Sequence, residues 1–135
     1  MKLALAQIDT KVGDIAGNSA KILGSLRRGQ EHGAGLVVFP EQALGGYPAL
    51  DLWEEPGFID ANARALKALA REVGETAALV GFLDRNPARV GKPVANAVAL
   101  LHRGKVTAVR WKTLLPTYDV FDTDALPTRD RKSGV

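Results

Sequence analysis

The chain has 135 residues, enough for one domain around a single core, and 46% hydrophobic against 24% charged residues is a globular rather than a disordered composition. Eighteen basic and fifteen acidic residues leave a net charge of +3, and the basic ones are scattered rather than striped, which argues against a nucleic-acid surface. Zero cysteines exclude disulfides, thiolate metal sites and a cysteine nucleophile within this chain, and two histidines leave little for zinc.

No apolar run approaches the roughly 20 residues of a membrane helix. The first residues are interrupted by Gln7 and Asp9, unlike a secretory signal, so a cytoplasmic location is expected. Residues 2–8 are short and apolar and read as a strand. From Asn18 a 3.6-residue period puts Ile22, Leu23 and Leu26 on one face, with Asn18 or Asp14 available as cap and Gly33 and Gly35 as the stop. Leu36-Val37-Val38-Phe39 has the continuous apolar character of a strand covered on both faces, and Pro40 ends it.

Residues 40–57 hold Gly45-Gly46, Pro48 and Pro56 and must be an irregular loop; in an α/β sheet, loops at the carboxyl ends of strands carry the ligand chemistry. Residues 58–73 repeat apolar side chains at helical spacing, with Ala65, Leu66, Leu69, Ala70 and Val73 inward, before Gly74. Residues 76–83, 94–101 and 105–111 read as three strands, the last two joined by a tight turn at His102-Arg103-Gly104. The order β-α-β-α-β-β-β predicts a layered α/β domain over residues 1–122. The polar stretch 123–135, which loses the apolar period, is expected to be a disordered tail.

Glu41 directly follows a buried apolar strand, a costly neighbourhood for a charge without a partner or a function. Lys112 holds the matching position after the last strand. If the strand ends converge on one crevice, the two can meet as a carboxylate-ammonium pair. Spacing alone leaves two readings open, a structural salt bridge and a catalytic pair. Tyr47 and Trp53 could line a pocket or pack over the sheet edge. His32, His102, Arg27-Arg28 and the basic residues 129–132 read as solvated surface, and no nucleotide-phosphate loop is present.

Val38-Phe39-Pro40-Glu41-Gln42-Ala43-Leu44-Gly45-Gly46-Tyr47-Pro48 and Lys112-Thr113-Leu114-Leu115-Pro116-Thr117-Tyr118-Asp119-Val120-Phe121-Asp122 resemble the two early signatures of the nitrilase, or carbon-nitrogen hydrolase, superfamily. Leu3-Ala4-Leu5-Ala6-Gln7 is similar to that family's first strand. Within the superfamily, the strings around Gly45 and Leu114 are most similar to the glutaminase domain of glutamine-dependent NAD synthetases.

The resemblance implies an α-β-β-α sandwich, here its amino-terminal part, and a reaction in which a thiolate attacks the glutamine amide. It makes Glu41 the base that relays the thiol proton to ammonia, Lys112 the oxyanion partner and Tyr118 a residue that holds glutamine. It implies no cofactor in this domain, with ATP and magnesium belonging to a synthetase domain or subunit that would be its partner, and a homo-oligomeric assembly without nucleic acid or membrane. The departure is equally plain. The family's nucleophile lies in a Cys-Glu-Asp segment on a later strand, which this chain lacks, so the fragment is expected to be inactive. Two alternatives stand beside this reading: a non-catalytic module that keeps the fold, and another amidase of the superfamily.

Overall fold

Asp14 starts the first helix, because its carboxylate accepts the Gly17 amide at 2.9 Å and satisfies one of the donors that a helix amino terminus leaves open. The computed structural model describes residues 1–88 and 93–112, so the expected tail lies outside the described residues. In chain order they form β1 (Leu3–Leu5), α1 (Ile15–Glu31), β2 (Leu36–Val38), a 3-10 turn (Leu50–Glu54), α2 (Pro56–Glu72), β3 (Ala77–Arg85), β4 (Val94–His102) and β5 (Lys105–Trp111). The expected sequence of elements is therefore present, with one short helical turn inside the loop expected to be wholly irregular.

The second candidate cap, Asn18, has a different role. It lies inside α1, fully buried, with its amide bridging Lys11 through two 2.8 Å hydrogen bonds and donating to the Leu44 carbonyl at 3.1 Å. It thereby fastens the loop before α1 to the loop after β2. Helix α2 starts with Pro56 at its first turn, where a missing N–H costs nothing.

The strands form one five-stranded sheet in the order β1-β2-β3-β4-β5, parallel through the first three and antiparallel through the last three. Two successive right-handed crossovers that step the same way along the sheet put α1 and α2 on the same side. Ile22 and Leu26 of α1 and Leu66, Leu69 and Ala70 of α2 accordingly share one core with Val37, Val80, Phe82, Ala99 and Leu101 of the sheet.

That placement corrects the expectation that β2 is covered on both faces: Val37 is buried under the helices, whereas Leu36 and Val38 on the other face are only partly buried. On the same far face of the edge strand β1, Leu3 and Leu5 are 53% and 74% exposed. An open strand edge beside apolar side chains is a template for association. The chain is expected to self-associate in sedimentation experiments, and Leu5→Lys to shift it toward monomer; a monodisperse monomer of the parent chain would contradict this.

One glycine sets how loop and sheet meet. A Cβ on Gly81 of β3 would lie 2.6 Å from both the Pro40 carbonyl oxygen and the Gln42 amide nitrogen, so the segment after β2 can rest on β3 only because position 81 has no side chain. The backbone bonds Phe39 N–H to Leu79 O (2.9 Å) and Leu44 N–H to Gly81 O (3.1 Å) hold it there. Gly81→Ala is expected to lower the unfolding free energy by about 1–3 kcal/mol through overpacking. Gly24→Ala, in open space within α1, is expected to raise it by about 0.5–1 kcal/mol, both read by urea denaturation.

Candidate active site

Two chain reversals, β3 to β4 and β4 to β5, leave β5 running parallel to β2, so both strands end at the same edge of the sheet. Glu41 follows the end of β2 and Lys112 the end of β5. The Lys112 ammonium donates to Glu41 Oε1 at 2.8 Å across 71 positions of sequence. The two residues expected in one crevice are in direct contact there. Their side chains remain 41% (Glu41) and 33% (Lys112) exposed, so this is a half-solvated pair facing a cavity rather than an interior salt bridge.

The cavity has a volume of about 350 Å³, and Phe39, Gly81, Asn96, Val98 and Trp111 line it together with the pair. Its walls are largely apolar, with Glu41, Lys112 and Arg110 as the charged residues among them, the ordinary make-up of a small-molecule site. Sequence alternation puts Gly81, Asn96 and Val98 on the face opposite the helices, since Val80, Phe82, Ala97 and Ala99 belong to the core between sheet and helices.

The turn that carries Glu41 is tight. Gln42 has φ 50, in the left-handed region that a side chain enters at a cost, and is buried with its Oε1 unpartnered among the described residues. Gly46, at φ 85, passes so close to the backbone of Val12 that a Cβ would sit 2.6 Å from it. The turn bearing Glu41 is thus wedged between β3 and the loop before α1.

Asn96 is the residue that the sequence does not advertise. It lies on β4, a strand otherwise built of Ala, Val and Leu around that position, and its side-chain amide donates to Glu41 Oε1. Its main-chain carbonyl accepts the Lys112 amide at 2.8 Å. Of the two aromatic candidates, Trp53 packs with Ala49, Ile59, Leu83 and Val94 and lines a separate cavity with Arg85 and Pro93. Tyr47 belongs to the neighbourhood of Glu41. Tyr118 and the string around it lie outside the described residues. Among the described residues no three His, Cys, Asp or Glu side chains are grouped to hold a metal ion, and no helix is long and apolar enough to cross a membrane.

Burial, and after it the negative charge of Glu41, push the Tyr47 phenol above its ordinary pKa. The folded state therefore keeps this proton when the unfolded state has begun to lose it. Stability from this source is complete below the ordinary phenol value and falls as pH rises toward the raised one. Tyr47→Phe is expected to flatten the decline in urea-unfolding free energy above about pH 10; an unchanged alkaline slope would remove Glu41 and burial as its cause.

Residues 2–132 match the family model described as carbon-nitrogen hydrolase. A glutamine-dependent NAD(+) synthetase of Synechocystis sp. is 39% identical over 126 residues, covering 90% of this chain and 23% of that protein. The Acinetobacter baumannii glutamine-dependent NAD+ synthetase superposes with a TM-score of 0.84 at 31% identity, over 96% of this chain and 24% of that one. An amidase from Nesterenkonia sp. gives a TM-score of 0.76 at 24% identity, covering 97% of this chain and 49% of its own, a likeness in fold alone. The chain spans less than a quarter of the length of the curated synthetase relative it matches.

Proposed function

Because the chain belongs to the carbon-nitrogen hydrolase family, we propose that Glu41 and Lys112 are the base and the oxyanion partner of a glutamine-amide site, in a module that supplies ammonia for NAD synthesis. The observation that carries this reading is the contact between the Lys112 ammonium and Glu41 Oε1 in the lining of a largely apolar cavity. As a half-solvated salt bridge the pair adds little to stability, and it lines a cavity of about 350 Å³, large enough for a small molecule.

The division of labour follows from charge. Attack on an amide carbonyl builds negative charge on its oxygen, and an ammonium already held at the cavity wall offsets that charge without reorganisation. The departing nitrogen needs a proton, which a carboxylate can take from the attacking group and hand on. The attacking group implied by the family resemblance is a thiolate, and none of the 135 residues is a cysteine. Base and cation are thus present in this chain without a covalent acceptor. Tyr118 would hold the substrate, and ATP with magnesium would serve a synthetase domain or subunit as partner. The Nesterenkonia amidase shares the fold, and a chain without cysteine is equally compatible with a second reading, a module that keeps the fold without chemistry.

Glutamine added to the 15N-labelled chain is expected to shift the Glu41 and Lys112 signals saturably, and asparagine to do so less. No response to any amide would favour the non-catalytic reading. The isolated chain is expected to release no ammonia from glutamine. Turnover that disappears in Glu41→Gln would contradict the requirement for a thiol.

A further inference from the structure

Asparagine is disfavoured inside strands, and a buried amide without a hydrogen bond costs about 1–3 kcal/mol. Asn96 nonetheless sits near the start of β4 at 4% exposure, between Ala95 and Ala97 and opposite Leu83 in the register. Its side chain reaches across 55 positions of sequence to donate to Glu41 Oε1, a hydrogen bond strengthened by the carboxylate charge. Its main-chain oxygen takes the Lys112 N–H. One residue therefore grips both members of the pair, the first through its side chain and the second through its backbone.

The two donors fall on the same atom. Asn96 Nδ2 and Lys112 Nζ both donate to Oε1, and among the described residues none donates to Oε2. A carboxylate oxygen accepts about two hydrogen bonds in its plane, so Oε1 is filled and both lone pairs of Oε2 remain for a proton. A single bond from Lys112 would let the carboxylate swing about it on a flexible four-carbon stem; a second donor from a rigid strand removes that freedom.

We propose that Asn96 is a positioning residue that locks the Glu41 carboxylate by Oε1 and so makes Oε2 the proton-accepting oxygen. The proposal rests on the reading of Glu41 as a base, and it adds which oxygen works and what aims it. Lys112 then acts twice, holding Oε1 while its remaining N–H groups stay available to a substrate oxygen.

The test is NMR on the whole chain with labelled side-chain amides and glutamates. The Asn96 side-chain protons are expected to shift in Glu41→Gln, which removes the charge and keeps the shape; an Asn that merely fills space would not report that charge. In Asn96→Leu, which retains the backbone carbonyl, the Glu41 side-chain couplings are expected to average over rotamers while backbone signals of β3 to β5 stay in place. Asn96 signals indifferent to Glu41→Gln, or a Glu41 side chain equally fixed in Asn96→Leu, would overturn the proposal. The Glu41→Gln arm decides the question even where Asn96→Leu fails to fold. Glutamine titration separates the two levels: a locked carboxylate without response to any amide removes the glutaminase reading alone, and a response with an unlocked carboxylate removes the role of Asn96 alone.

Discussion

The arrangement depends on a close approach between two pieces of backbone. Pro40 and Gln42 lie against Gly81 at a distance that leaves no room for a side chain, and that seat sets where Glu41 leaves the sheet. It brings Glu41 beside β3 and within reach of Asn96 on β4 and of Lys112 just past the end of β5. The strands could form without it. The carboxylate would then leave the sheet by whatever route its loop preferred, and the cavity would lose one wall.

Rigid surroundings make such a seat effective. Asn18 fastens the loop at Leu44 to the loop at Lys11, and Gly46 lies against the backbone of Val12, so the turn bearing Glu41 is held on both sides by groups that have no part in chemistry. The left-handed backbone of Gln42 is tolerated in that frame and would relax outside it. The glutaminase reading draws on this rigidity, since a base and a cation act on the same bond only while their separation is fixed.

Much of this is legible in the residues. Glu41 follows an apolar strand and Lys112 a second strand reading, and the rule about strand ends then allows the two to meet in one crevice. Both helices and all five strands follow from period and breakers. Asn96 is not legible, because its meaning depends on a partner 55 residues away and a polar residue within a strand gives no local sign of one. Gly81 reads as a weak strand residue until the loop above it is known. The start of α1 is ambiguous in sequence because Asp14 and Asn18 are both good caps, and the buried bridge that occupies Asn18 is a tertiary fact. The half-open face of β2 is hidden for a similar reason: an apolar run of four residues carries no record of how many layers will cover it.

In this molecule the scaffold positions the pair, and the pair does not hold the scaffold. A double-mutant cycle of unfolding free energies with Glu41→Gln and Lys112→Met tests this directly. A coupling below about 1 kcal/mol is predicted, as for partly solvated charges fixed by their surroundings. A coupling of about 3 kcal/mol or more would identify the pair as a structural salt bridge and contradict the site built on it.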